Sequence, residues 1–194
     1  MKNNLLSQNS KMKESSTNEI KILNWSLPAV KTCPFAGECK KFCYASKGFY
    51  RFKGVANKHA SNYSVTLTDA FIPLMSHEIA HYKSKVKKLM VRIHDTGDFY
   101  SVEYLEKWLK IIELHKDVDF YAYTKSIPFF KGRQLPDNFR VIYSFGGLKD
   151  NMINKESDRH AVVVKEVTAD YVDGSNDDKV AGLGTSKKIA LIIH

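Results

Sequence analysis

The stretch LMVRIHDTGDFYSVEYLEKWLKIIELHKDVDFYAYTKS, residues 89–126, decides the fold class. It opens with LMVRIH (89–94), an apolar run of strand length that ends at Asp95. Ser101 is then placed to cap a helix in which Leu105, Trp108, Leu109 and Ile112 recur at helical spacing and make one apolar stripe. VDFYAY (118–123) is a second strand-like run. A strand, a helix and a strand in succession predict a parallel βα unit.

Working outward, the pattern continues. FRVIYS (139–144), HAVVV (160–164) and IALIIH (189–194) read as further strands. On the N-terminal side, Leu67, Ala70, Phe71, Leu74, Met75, Ile79 and Tyr82 recur at helical spacing and predict one helix from about Ala60 to Lys88. Ile20 to Leu27, stopped by Pro28, reads as the first strand. At 194 residues the chain falls short of the ~250 of a closed eight-fold barrel. The expectation is an α/β fold with a partial parallel βα (TIM-like) barrel of five to six strands. Residues 1–19, polar and lacking a hydrophobic period, read as a flexible basic arm on a single α/β domain spanning 20–194.

Composition excludes some classes. Hydrophobic residues make up 43% and aromatics 12%, too much for a mainly disordered chain. No apolar run approaches the ~18 residues of a membrane span, and the N-terminus lacks the apolar core of a secretory signal. A cytoplasmic protein is expected. Charge is uneven: residues 1–92 carry 16 Lys/Arg against 5 Asp/Glu, whereas residues 93–194 carry 14 against 16. Such asymmetry suits an anionic partner, either nucleic acid or an acidic protein, although a basic surface that only aids solubility fits the same numbers.

The three cysteines, Cys33, Cys39 and Cys43, lie in one short segment, TCPFAGECKKFCYA. An odd number so closely spaced suits metal ligation better than a disulfide framework. Three soft thiolates favour an iron–sulfur cluster, and a four-iron cluster held by three cysteines leaves one iron open. Zinc would need a fourth ligand from elsewhere. Lys31, Lys40, Lys41, Lys47, Arg51, Lys53 and Lys58 surround the segment, opposed only by Glu38, and are expected to lower thiol pKa values and offset the cluster's charge; of these Lys40, Lys41, Lys47, Arg51 and Lys53 are the candidate nucleic-acid contacts. Phe42, Tyr44, Phe49, Tyr50 and Phe52 interleave with them, a pattern that grips single-stranded nucleic acid or, equally, shields a cluster from water.

Polar residues follow three successive strands: HDTGDFYS (94–101), TKS (124–126) and SFGG (144–147). In parallel α/β folds such positions converge at one mouth. Asp95, Asp98 and Lys125 are therefore the candidate catalytic groups. His94, Thr96, Gly97, Thr124, Ser126, Ser144 and the terminal His194 are candidates for cofactor binding. Gly97, Gly146 and Gly147 are expected to let a ligand approach the backbone; Asp98 and Ser101 also fit as local caps. A separate H-E-x-x-H match, His77 to His81, sits on the predicted helix but continues as YKSKVKK, so zinc proteolysis is set aside as a chance match.

The order of WSLPAVKTCPFAGECKKFCYASKGFYRF (25–52), VRIHDTGDFYSVEYLEKWLKII (91–112), FYAYTKS (120–126) and YSFGG (143–147) resembles the phage "gene product 88" family. That resemblance implies a relative of radical S-adenosylmethionine enzymes, with a 4Fe–4S cluster held by Cys33, Cys39 and Cys43 at the mouth of a partial barrel. It also implies that S-adenosylmethionine binds the open iron, with residues 94–101 and 124–126 lining the cavity beneath. The spacing C-x5-C-x3-C departs from the C-x3-C-x2-C of radical enzymes. Residues 171–188 lack the extra cysteines that the resemblance would place there.

Overall fold

The computed structural model describes residues 4–192. Seven strands form one curled, half-barrel sheet in which every pairing is parallel. They are β1 (Ile20–Trp25), β2 (Lys88–Ile93), β3 (Asp119–Thr124), β4 (Phe139–Ser144), β5 (His160–Val164), β6 (Val172–Asp173) and β7 (Lys188–Ile192), in spatial order β1-β2-β3-β4-β5-β7-β6. The strand missing from the sequence reading is β6. Two residues beside Gly174 carry no periodicity, and only pairing with Ile189 and Ala190 makes them a strand.

Alternation along the strands builds two cores. Leu23, Trp25, Leu89, Val91, Ile93, Phe120 and Ala122 face the helical layer. That layer consists of α2 (Lys53–Thr66), α3 (Phe71–Lys83) and α4 (Val102–Leu114). Phe71, Met75, Ile79, Leu105, Trp108 and Ile112 complete this core. Ser101 caps α4 by accepting a hydrogen bond from the Tyr104 amide at 3.2 Å. On the other face, Ile22, Met90, Tyr121, Ile142 and Ile189 pack against Met12 of α1 (Ser10–Ser15) and Ala181 of α5 (Asp178–Gly182).

Two expectations are corrected. The single helix from about 60 to 88 is two helices, broken at residues 67–70. The hydroxyls of Thr66 and Thr68 turn back onto the carbonyls of Tyr63 and Val65 and compete with helix continuation there. The polar arm is also packed rather than free among its described residues. Leu5 and Leu6 are buried, and Ser7 exchanges two backbone hydrogen bonds with Asn24 at the β1 edge. The Glu78 carboxylate accepts the Leu5 and Leu6 amides at 2.6 and 2.9 Å. Leu5, Leu6 and Met12 suffice as apolar anchors to fix a segment whose average composition is polar.

Candidate functional site

A cavity of about 490 Å³ opens at the C-terminal ends of β2, β3 and β4. Its wall includes His94, Asp95, Thr96, Gly97 and Asp98 beyond β2, Thr124 and Lys125 at the end of β3, and Ser144 at the end of β4. Cys33, Cys39 and Cys43 line the same cavity. The cysteine loop is stitched to the chain after β4: Leu148 N donates to Phe35 O at 2.8 Å and Cys39 N donates to Gly146 O at 3.3 Å. Asp150 holds that turn by accepting the amides of Gly146 and Gly147 at 2.8 and 2.9 Å.

The glycines serve the chain itself. At Gly97, with φ of +84°, an added Cβ would meet Thr32 Oγ1 at 2.6 Å and Leu27 Cβ at 2.7 Å. The close approach is thus made by the segment leading into the cysteine loop, whose Thr32 carbonyl accepts the Asp98 amide. Gly147 is likewise packed against Lys125 Cβ and the Phe35 carbonyl.

Asp98 is buried, and its carboxylate is engaged on both sides. Oδ1 accepts the Thr124 hydroxyl at 2.6 Å and the Phe99 amide at 2.8 Å, and Oδ2 accepts the Lys125 amide at 2.8 Å. Burial nevertheless raises its pKa above the ordinary carboxylate value, against the pull of those hydrogen bonds. The Lys125 ammonium donates to Ser144 Oγ at 2.7 Å. Asp95 accepts the Tyr50 hydroxyl at 2.7 Å on Oδ2, and its backbone carbonyl accepts the Tyr44 hydroxyl. The two tyrosines therefore tie the segment after the cysteines to the β2 end.

The expected lowering of the thiol pKa does not hold for Cys33. Burial, followed by the charge of Asp98, pushes its thiol up to about 12. Of the cations thought to act on it, Lys31, Lys40, Lys41, Arg51 and Lys53 are exposed and outside the cavity wall, Lys41 pairs with exposed Glu38, and Lys58 donates to the Leu6 carbonyl at 3.4 Å. Lys47 alone of that set reaches the rim.

His94 occupies a left-handed backbone position, φ 70°, and is buried. Its Nε2 lies 2.9 Å from the Tyr104 hydroxyl, which also accepts the Nε1–H groups of Trp25 and Trp108, each at 2.8 Å. Two indole donors occupy the oxygen's lone pairs, which leaves its own proton for His94 Nε2; the opposite ring nitrogen, Nδ1, is buried and has no hydrogen-bond partner among the described residues. Burial, then Arg92, lowers the His94 pKa to about 3, which keeps the ring neutral.

Other candidates lie elsewhere. Ser126 is behind the wall, donating to the Phe99 carbonyl at 2.7 Å. His194 lies outside the described residues. His77 and His81 are exposed on α3 while Glu78 clasps the N-terminal segment. Among the described residues no three His, Cys, Asp or Glu side chains gather as ligands of one metal ion.

The sequence reading missed Arg92. It lies on the cavity face of β2, with its guanidinium 3.6 Å from Asp95 Oδ1, 3.4 Å from Asp178 Oδ1 and over the Tyr123 ring. The available signal was a charge inside the apolar run LMVRIH, where only a paired charge is tolerated. Lys11 of α1, near the same Asp178 at 3.5 Å, also lines the cavity and had no such signal.

Comparison with known proteins agrees with the motif order. The chain is 36% identical over 104 residues to the Gene 88 protein of Mycobacterium phage D29, covering 48% of this chain and 42% of that one. It is 33% identical over 125 residues to the Gene 88 protein of Mycobacterium phage L5, covering 58% and 52%. The matched region thus spans about half the length of each of these relatives. No solved structure matches. The family model described as Gene product 88 matches residues 2–191, and the chain belongs to that family.

Proposed function

We propose that this protein is an iron–sulfur protein in which Cys33, Cys39 and Cys43 hold a 4Fe–4S cluster at the mouth of the half-barrel. The observation that carries the reading is that all three thiols open on the same cavity as Asp95, Asp98, Lys125 and Ser144. The donor chemistry fits, since three thiolates are soft ligands suited to iron–sulfur centres. A cubane places each thiolate on a different iron, so its sulfurs stand farther apart than the ligands of a single ion. Among the described residues no three ligands stand ready for a single ion, so metal content has to decide between cluster and zinc. A thiol as buried as Cys33 gives up its proton when metal binds, so the raised pKa makes cluster loading pH-dependent without preventing it.

When bound, such a cluster supplies one-electron chemistry and an open coordination position, and S-adenosylmethionine is the ligand implied by the resemblance to radical enzymes. Asp98, fixed by three donors, and Lys125 would orient a ligand on the cavity floor. The test is the iron and acid-labile sulfide content of anaerobically purified protein, compared with Cys39→Ala. About four irons per chain in the wild type, and loss in the variant, is the expected result. Equal metal in both, or zinc without sulfide, overturns the reading. Formation of 5′-deoxyadenosine after reduction with S-adenosylmethionine tests the radical version separately.

A second reading is a non-catalytic, cluster-bearing protein that binds nucleic acid. It is favoured by Phe49 and Phe52, which are 77% and 59% exposed with rings 5.4 Å apart, in a stretch that also carries exposed Lys47, Arg51 and Lys53. Exposed rings among cations suit stacking of unpaired bases. Single-stranded DNA should then bind with an affinity that falls steeply with salt and drops on Phe49→Ala. Binding indifferent to both would exclude this surface.

A further inference from the structure

The cavity wall is unbalanced in its hydrogen-bonding groups. Its carboxylates are already satisfied: Asp98 by Thr124, Phe99 and Lys125, and Asp95 by Tyr50 with Arg92 alongside. Asp150, behind the glycine turn, is occupied by two amides. Two of the wall's donors, Lys125 and Ser144, are not. Lys125 gives one of its three N–H groups to Ser144 Oγ and has no ion-pair partner among the described residues. The Ser144 hydroxyl, accepting from Lys125, keeps its own proton for another acceptor. Arg92 and Lys47 add positive charge to the same wall.

We propose that Lys125 and Ser144 form a subsite for an oxyanion, either carboxylate or phosphate, carried by the small organic molecule that this cavity takes. A partly enclosed ammonium with unengaged N–H groups gains a charge-assisted hydrogen bond from such a group, whereas a cationic or donor-rich ligand would meet repulsion there. The volume of about 490 Å³ leaves room for much more than the anion. Ala29, Ala36, Val163 and Leu191 supply an apolar wall for the rest of the molecule. Gly146 sets the geometry: an added Cβ would lie 3.8 Å from Lys125 Cε and 3.7 Å from Cys39 Cβ, so the ammonium stem and the thiol flank the same glycine. The anion would thus be anchored next to the cysteine loop. The inference uses the same cavity as the proposed cluster but does not require the cluster.

Calorimetric titration of the purified protein with inorganic phosphate, and separately with malonate, tests it. Binding of at least one of them is expected, with affinity at least tenfold weaker in Lys125→Met, several-fold weaker in Ser144→Ala and largely kept in Lys125→Arg. The control variant Lys110→Met, on the exposed face of α4 and outside the cavity wall, should bind as the wild type does. Which probe binds tighter distinguishes phosphate from carboxylate. Unchanged binding in Lys125→Met, or no binding of either ion to the wild type, overturns the proposal. Repeating the titration on Cys39→Ala separates the two readings. Binding retained there belongs to Lys125 and Ser144 whether or not iron is held. Binding lost there but kept in Lys125→Met would put the anion on a metal and overturn this subsite while leaving the cluster reading intact.

Discussion

His94 Nε2 and the Tyr104 hydroxyl lie 2.9 Å apart, joined beneath the cavity by a hydrogen bond whose direction is set by two indoles. The ring of His94 also meets Phe99 edge-on at 4.6 Å. The β2 end, which carries Asp95 and Asp98, is therefore held from below by a buried aromatic network.

Removing the hub of that network should be costly. Tyr104→Phe strips the acceptor from two buried N–H groups and the donor from His94, each worth roughly 1–3 kcal/mol when left unsatisfied. Chemical denaturation should show a loss on the order of 3 kcal/mol or more. A loss below about 1 kcal/mol would mean that water replaces the hydroxyl.

The neutral His94 ring predicts an acid-side slope in stability. In the unfolded chain it takes a proton near its ordinary value of 6.5, whereas in the folded protein it does so only at about 3. The unfolded state binds more protons between those values. Stability should therefore fall as pH drops below about 6.5, by up to about 1.4 kcal/mol per pH unit, and flatten below about 3. Asp98 has the opposite sign: with its pKa raised, its contribution is present in acid and lost as pH rises through the folded value. Comparing wild type with His94→Asn, a residue that tolerates the left-handed backbone, isolates the histidine slope. Parallel pH profiles for the two proteins would contradict the assignment.

Two glycines with similar backbone angles should respond differently to alanine. Gly132, φ +78°, has open space around its Cβ position, so Gly132→Ala should cost about 1–2 kcal/mol for the left-handed conformation alone. Gly97→Ala adds collision with Leu27 and Thr32 and should cost about 2 kcal/mol more. Thermal or urea denaturation of both variants reads the difference, and equal losses would mean that the segment after β1 can yield.

The clasp between α3 and the N-terminal segment is directly testable. Glu78→Ala removes the acceptor of the Leu5 and Leu6 amides. Limited proteolysis should then cut within residues 4–19 well before the wild type is cut, with the metal content unchanged. A variant that lost zinc instead would restore the H-E-x-x-H motif to consideration.

Six of the seven strands were legible in the sequence because each is a run of apolar residues bounded by turn-forming segments. Convergence of His94 to Asp98, Thr124, Lys125 and Ser144 followed from parallel topology, since every strand delivers its C-terminal end to the same side. The break between α2 and α3 was hidden because apolar spacing runs on through residues that are exposed; Leu67 is 61% accessible and Leu74 48%. Arg92 and Lys11 entered the site through pairing with Asp178, a contact between residues far apart in the chain.

Periodicity and strand-end position, both local properties, determined the fold class, the grouping of three thiols in one loop and the set of polar residues near the mouth. Tertiary packing alone decided which groups there are engaged and which are free. It pushed the Cys33 thiol up instead of down, joined His94 Nε2 to the Tyr104 hydroxyl, and left Lys125 on the cavity wall without a carboxylate partner among the described residues. Desolvation and hydrogen-bond direction depend on what surrounds a side chain in space, and that is assembled from distant parts of the chain.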